Sequence, residues 1–328
     1  MLFTVTLSGS DREFNASGEH SLLQAALSAG IGAPYGCASG TCGKCLVYVE
    51  RGDVGPVAHS DYVIGTAERD RGAVLACSVA PSSDLVVRLA AASQPSDIEL
   101  QTLTGRFHRA TWINEHVMSV CVKTSRAQSL RYLSGQQVNV EFPKAGRVKL
   151  PIASCPCEGR ELTFFLMRNS HPELCETVET MRRGDNLKLD GPVGNFVLGE
   201  PEREGIVLVC TDTGYPAVHS LLAQIINIEF GGYVILIRVA DRDEQPYLDN
   251  YCRSLRDALD DFHYCRVHQT EGANALLRVL GSLEIWDATG STVRLAMPDN
   301  PRIESDLAAQ LGQRGAEVVC FQPLSSSA

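Results

Sequence analysis

The stretch Pro34-Tyr35-Gly36-Cys37-Ala38-Ser39-Gly40-Thr41-Cys42-Gly43-Lys44-Cys45 decides how the first part of this chain folds. Its cysteines are spaced C-x4-C-x2-C, and a fourth, Cys77, follows after a long gap. This spacing is the ligand set of a plant-type [2Fe–2S] cluster. Thiolates suit the task because they are soft, anionic ligands that hold ferric and ferrous iron alike. The small residues Gly36, Ala38, Ser39, Gly40 and Gly43 let the backbone wrap closely and aim its N–H groups at the sulfurs. Such hydrogen bonds tune the potential, about −400 mV for this cluster type. Zinc is the competing reading, but structural zinc favours two C-x2-C pairs, and only one is present here.

Around the loop, residues 3–7 and 11–15 each read as short strands about the turn Gly9-Ser10-Asp11, with apolar and polar side chains alternating from Met1 to Leu7. Ser21 stands as a cap before Leu22-Leu23-Gln24-Ala25-Ala26-Leu27, a short helix ending near Gly30. Strands are expected at Leu46 to Val49, Ala73 to Cys77 and Asp84 to Leu89. The run from Ala90 to Ser96 has linker composition. From about residue 99 to 200 strands dominate, at Val117 to Val122, Val138 to Phe142 and Leu162 to Met167, with one helix at Glu173 to Met181. This is an antiparallel barrel pattern. From about residue 205 buried strands alternate with helices: Ile206 to Cys210, helix Ala217 to Ile226, Tyr233 to Ile237, then a helix near Tyr251 to Leu259. Thr292 to Ala296, helix Arg302 to Leu311 and Glu317 to Cys320 follow, and the alternation implies a parallel α/β sheet.

The chain has 328 residues, too many for one ordinary core. A net charge of −10 without a basic stripe excludes a nucleic-acid partner. No run approaches the roughly 20 apolar residues of a membrane span, and Met1 to Leu7 lacks a signal-peptide pattern. A cytoplasmic protein without membrane insertion is the expectation. The eight cysteines outside the cluster set are expected as small core-filling hydrophobes, although Cys155 and Cys157 form a lone C-x-C.

The cluster motif followed by a barrel and an α/β unit resembles the reductase components of bacterial multicomponent oxygenases, in the ferredoxin–NADP reductase superfamily. The resemblance spans the whole chain. It implies a β-grasp ferredoxin domain at 1–92, an antiparallel FAD-binding-type β-barrel at 99–200 and a parallel α/β NAD(P)-binding-type domain at 204–324. It also implies electron transfer from NAD(P)H through FAD and the [2Fe–2S] cluster to an oxygenase or other redox partner. Leu133-Ser134-Gly135-Gln136-Gln137-Val138 looks like the family's strand-opening segment, and Ile152-Ala153-Ser154 like the stretch along the flavin. Gly184-Asp185 and Gly191-Pro192-Val193-Gly194 occupy family places too. The implied flavin residues are Lys149, Leu150, Ile152, Ser154, Gly191 and Gly194, and the implied nucleotide residues are Thr213, Gly214 and Tyr215.

The chain departs from the family at four ligand elements. Arg-x-Tyr-Ser, whose Arg grips pyrophosphate and whose Tyr stacks on the flavin, becomes Val148-Lys149-Leu150-Pro151, with Arg147 one residue early. On a strand that shift faces the other way. Leu174 replaces a pyrophosphate-supporting Ser or Thr. Gly-Gly-Thr-Gly-Ile-Ala-Pro becomes Thr211-Asp212-Thr213-Gly214-Tyr215-Pro216-Ala217, which brings a carboxylate where a dianion would lie, and Cys-Gly-Pro-Pro becomes Ala296-Met297-Pro298-Asp299. Tyr215 either stacks on a ligand or packs beneath the loop. His219 is expected to be a satisfied structural histidine, and Phe321 either covers a flavin ring or fills core. Two functions stay open: a flavoenzyme reductase, or a non-enzymatic [2Fe–2S] subunit whose reductase-like body is a docking scaffold.

Overall fold

The computed structural model describes residues 1–10, 12–35, 40, 43–55, 63–89, 94–125, 129–158, 160–198, 204–227, 230–240, 245–268, 270 and 272–322, without the side chains of Ala67 and Cys157. The described strands form three sheets, each with its own core.

The first sheet contains β1 (Leu2–Leu7), β2 (Glu13–Ser17), β3 (Leu46–Arg51), β4 (Ala73–Leu75) and β5 (Leu85–Arg88), in the order β2-β1-β5-β3-β4. The β1–β5 pair is parallel and the others are antiparallel. Helix α1 (Leu22–Ser28) begins where the Ser21 side chain accepts a hydrogen bond from the Gln24 N–H at 3.2 Å, and it buries Leu22, Leu23, Ala25 and Ala26. A short helix, α2 (Thr66–Arg69), precedes β4. The expected strand at Ala73 to Cys77 stops at Leu75, because Ser78 N–H turns back to the Leu75 carbonyl at 2.8 Å.

The second sheet is antiparallel throughout. It contains β6 (Gln101–Trp112), β7 (Val117–Thr124), β8 (Gln137–Phe142), β9 (Gly146–Pro151), β10 (Glu161–Met167) and β11 (Asn186–Val193), ordered β10-β7-β6-β11-β8-β9. Helix α3 (Pro172–Thr180) buries Leu174, Cys175 and Val178 in the barrel core. Leu174 is thus a packing residue, which explains an apolar side chain at that position.

The third sheet is parallel: β12 (Gly205–Cys210), β13 (Tyr233–Ala240), β14 (Phe262–His268), β15 (Ser291–Ala296) and β16 (Glu317–Cys320), ordered β14-β13-β12-β15-β16. Every residue of β12 and β15 is buried, as expected for central strands covered on both faces. The accompanying helices are α4 (Tyr215–Asn227), α5 (Asp249–Ala258), α6 (Gly272–Ser282) and α7 (Pro301–Gln313). Arg294 of β15 is itself buried, and its guanidinium donates to the Val197 and Leu198 carbonyls at 2.7 Å each, fastening the segment that leaves the barrel. Cys121, Cys175, Cys210 and Cys252 fill core as expected, but Cys155 is disulfide-bonded. It is buried and lines the seam where the barrel meets the segment before the cluster loop. Among the described residues no helix is long and apolar enough to cross a membrane.

Candidate functional site

The β3–β4 ladder builds the cluster end. Its last pair is Leu46 with Leu75, and one further hydrogen bond, from Ala76 N–H to the Cys45 carbonyl at 2.8 Å, extends it. Cys45 and Cys77 flank that bond. Their Sγ atoms are 3.1 Å apart, both are buried, and neither is in a disulfide. A disulfide would need about 2.05 Å. Two reduced thiols held this close in an apolar wall fit a soft metal centre, and Ser78 Oγ lies 3.5 Å from Cys77 Sγ as a further polar neighbour. Gly43 turns the loop at φ +73°, a left-handed conformation that favours glycine. Cys37 and Cys42 lie outside the described residues.

The segment preceding Cys37 docks on the barrel. Buried Tyr35 donates its hydroxyl hydrogen to the Pro156 carbonyl, and Arg131 Nη2 donates to the Gly32 carbonyl at 3.2 Å. Arg131 is fixed in turn by Gln101, which accepts from its N–H at 2.9 Å and donates to its carbonyl at 2.7 Å. Burial raises the Tyr35 phenol above its ordinary range, so it stays protonated and can donate.

A second site is a cleft of about 310 Å³ between the barrel and the third sheet. Thr213 follows β12, Asp299 follows β15 and Phe321 follows β16, so the cleft opens at the carboxyl ends of these strands. The chain order reverses here, since β12 has β13 on one side and β15 on the other. Open α/β sheets bind ligands at such a switch point. Lys149 and Leu150 of β9 and Phe165 of β10 form the barrel wall, and His171 at the start of α3 stands at the rim. Burial lowers the His171 pKa, and burial with the nearby Arg147 charge lowers that of Lys149. Buried Glu304 accepts from the Met297 N–H at 2.9 Å and so fixes the turn that presents Asp299. Asp299 accepts from Thr211 Oγ1.

The implied flavin residues divide. Lys149 and Leu150 reach the cleft, although most of Leu150 is barrel core. The Ile152 and Ser154 side chains do not face it. Ile152 is core, and Ser154 Oγ lies 3.1 Å from Tyr132 Oη and accepts from Thr163 N–H at 3.1 Å. The Ser154 carbonyl accepts from Ser220 Oγ at 2.6 Å, tying this stretch to α4. Gly191 is paired with Gln101 in the β11–β6 ladder, and the Gly194 carbonyl accepts from Gln136 Nε2 at 3.1 Å. Arg147 is not among the cleft-lining residues, and its exposed guanidinium lies 3.5 Å from the carboxylate of buried Asp190.

The nucleotide residues also divide. Thr213 lines the cleft, with Oγ1 3.1 Å from Thr211 Oγ1. At Gly214 a Cβ would lie 1.8 Å from the Ala296 carbonyl oxygen, so the turn can approach β15 only as glycine. Tyr215 is fully buried. The Arg238 guanidinium lies 3.6 Å over its ring, and its hydroxyl is 3.3 Å from Cys252 Sγ. Arg238 also pairs with Asp212 and donates to the Tyr247 carbonyl at 3.3 Å, while the Tyr247 hydroxyl donates to the Asp212 carbonyl at 3.2 Å. The carboxylate expected to repel a dianion is therefore neutralised from within.

Sequence reasoning missed Arg238 and Tyr247. The available signal was a single Arg inside the apolar run Tyr233–Ala240, since arginine is almost never fully buried unless paired. His219 is the satisfied structural histidine that was expected. Its Nδ1 lies 2.8 Å from the Ala153 carbonyl, which can only accept, so Nδ1 carries the hydrogen. Burial keeps the ring neutral by lowering its pKa. Phe321 packs edge-on against Phe196 at 5.4 Å and also lines the cleft.

Residues 5–82 match the family described as 2Fe-2S iron-sulfur cluster binding domain. The chain is 28% identical over 234 residues to the phenol hydroxylase P5 protein of Acinetobacter pittii, covering 69% of this chain and 65% of that one. It is 26% identical over 220 residues to the toluate 1,2-dioxygenase electron transfer component of Pseudomonas putida, covering 66% and 65%. These matches thus span just under two thirds of the relatives' length. Among solved structures, the Amycolatopsis cytochrome P450 reductase GcoB superposes with a TM-score of 0.58 over 98% of both chains at 21% identity, a likeness of fold.

Proposed function

We propose that this chain, a relative of the reductase and electron-transfer components of oxygenases with a 2Fe–2S iron-sulfur cluster binding domain at residues 5–82, delivers single electrons to a partner protein. The convergence of Cys45 and Cys77 sulfurs to 3.1 Å carries this reading. Cys37, Cys42, Cys45 and Cys77 hold the [2Fe–2S] cluster. The units are a ferredoxin domain at 1–92, an FAD-type barrel at 99–200 and an NAD(P)-type α/β domain at 204–324. FAD, when bound, supplies the conversion of a two-electron hydride from NAD(P)H into single electrons, which a one-electron cluster cannot perform alone. In the cleft, Leu150 and Phe321 offer apolar walls to a planar ring and Lys149 a cation to a phosphate, while Thr213 borders the nucleotide side, on the turn that Gly214 lets approach β15. Phe165 and Pro216 add to the apolar lining of the cleft.

The electron acceptor is an oxygenase or another redox protein, and the net charge of −10 argues against nucleic acid. Outside the cluster set, Cys121, Cys175, Cys210, Cys252, Cys265 and Cys320 are free thiols, which suits a reducing cytoplasm although Cys155 is disulfide-bonded.

One observation favours a second reading. The Asp212–Arg238 pair and the Tyr215 ring fill the turn where a dinucleotide's phosphates would approach. On that reading the body is a docking scaffold, and electrons reach the cluster from another protein. Anaerobic purification followed by iron, sulfide and flavin quantification separates the two. Two irons and one flavin per chain support the reductase. Two irons without flavin, even after incubation with FAD, sink it and leave the scaffold.

A further inference from the structure

Strand β6 departs from regular pairing at one place. Its ladder to β7 shifts register between Phe107, opposite Val122, and Arg109, opposite Cys121, so His108 is the extra residue of a β-bulge. Side chains three apart on a regular strand point to opposite faces, which would divide Arg106 and Arg109 between solvent and core. The bulge puts both outside: Leu103, Gly105 and Phe107 are buried, while Thr104, Arg106, Arg109 and Thr111 are exposed. Bulges re-aim side chains in this way and are over-represented beside functional sites.

The charges gathered on this face have one sign and are held at a cost. Arg106 lies directly opposite Lys123 in the β6–β7 ladder, and like charges so placed are destabilising. Arg183 joins them at the bulge, since the N–H of the next residue, Gly184, donates to the Phe107 carbonyl at 2.8 Å. Glu161 is the carboxylate on this face, and Lys123 takes it at 2.6 Å. Among the described residues, the guanidiniums of Arg106, Arg109 and Arg183 make neither a hydrogen bond nor an ion pair. Partial burial, with the charges of Lys123, Arg183 and Arg109, holds the His108 pKa below its ordinary value, as a positive local potential requires.

The rest of the chain has the opposite balance. Residues 99–200 carry 13 Lys and Arg against 11 Asp and Glu, whereas residues 204–324 carry 9 against 17. An acidic partner is repelled by the α/β unit and attracted to the bulge face, a contrast that sets orientation as well as place. Small-ligand sites are concave. A strand face is flat, so its spread charges suit a second surface rather than a small ion.

We propose that the outer face of the β6–β7 bulge, through Arg106, Arg109 and Arg183, is a docking surface for a partner protein that presents clustered carboxylates. This surface is independent of whether the cleft holds flavin.

Binding of a fluorescein-labelled oligoglutamate peptide to the full-length, iron-loaded protein tests the assignment. Anisotropy is followed at low ionic strength, where the Debye length reaches about 30 Å. Arg106→Glu with Arg109→Glu should bind at least about tenfold more weakly, because like charges brought together are strongly disfavoured. Arg302→Glu with Arg314→Glu makes the same change of net charge at exposed positions of α7 and its end, and should bind like the parent. Arg106→Lys with Arg109→Lys keeps the charge and should retain most of the affinity. Equal iron content and circular dichroism establish that each variant is folded. No binding by the parent, unchanged affinity in the face variant, or an equal loss in both reversal variants overturns the proposal. A DNA duplex held more tightly than the peptide through the same arginines overturns the protein partner in favour of nucleic acid. Salt-sensitive self-association that disappears with them overturns it in favour of a second copy of this chain.

Discussion

At the cluster end, the β3–β4 ladder runs one hydrogen bond past its last pair and sets two sulfurs 3.1 Å apart. In the third sheet, Arg238, Asp212 and Tyr215 fill the turn after β12 from within. Both regions keep their sheets, registers and glycine turns. They differ in what the turn holds: converging ligand atoms in one, a closed network of the chain's own groups in the other. A fold can persist after the chemistry of its ligand turn has changed, so function has to be argued from each site separately.

The largest expected effect sharpens the first half of this contrast. Cys77→Ser removes a thiolate ligand, and the visible absorbance and EPR signal of the cluster should vanish while the circular dichroism of the third sheet persists. A signal of parental intensity would show that Cys77 is not a ligand. Next, Gly214→Ala should destabilise the α/β end by about 3 kcal/mol, because its Cβ would collide with the Ala296 carbonyl and overpacking costs of this order follow. Calorimetry would show a lowered C-terminal transition with iron content unchanged.

The ion pair gives a smaller and more diagnostic effect. Asp212→Asn leaves the fully buried Arg238 without its counter-charge, and removing one partner of a buried pair costs about 3–5 kcal/mol. Asp212 is about a third exposed, so solvent offsets part of this and about 2 kcal/mol is expected in denaturant unfolding. The double variant Asp212→Asn with Arg238→Met should recover most of it. If the double variant is as unstable as the single one, the pair is not what closes the turn.

His219 makes the body sensitive to acid. Burial holds its folded pKa below the ordinary value of 6.5, so the folded protein binds the neutral ring. Its contribution is fully present above the unfolded pKa and is lost as the pH falls through the folded one. Stability should therefore decline on acidification below about pH 6.5, and the decline should be shallower in His219→Gln. The smallest effect belongs to the cluster domain: Ser21→Ala removes the cap of α1 and should cost about 1 kcal/mol, measured by thermal unfolding.

The same contrast explains which features the sequence disclosed. Cluster ligands are legible because their spacing is local chemistry, and α1, α4 and the buried strands are legible because capping and apolar runs are local too. The 12-residue strand Gln101–Trp112 escaped notice, since its outward face carries Thr, Arg and His and its register shifts between Phe107 and Arg109. Helix Gly272–Ser282 escaped as well, as it starts at a glycine with no acidic residue in its first turn. The filling of the β12 turn could not be read, because Asp212, Arg238 and Tyr247 are far apart in sequence and meet only across β13. Ser154 matched a family position in sequence, yet its bonds to Tyr132 and Thr163 spend it on packing.

The most direct test of electron delivery is an anaerobic titration of the purified protein with NADH, with cluster reduction followed by EPR. The account predicts that the reduced-cluster signal grows to one spin per chain as NADH is added, with each hydride supplying two electrons. A cluster that dithionite reduces fully and NADH leaves oxidised, with FAD supplied, would contradict it.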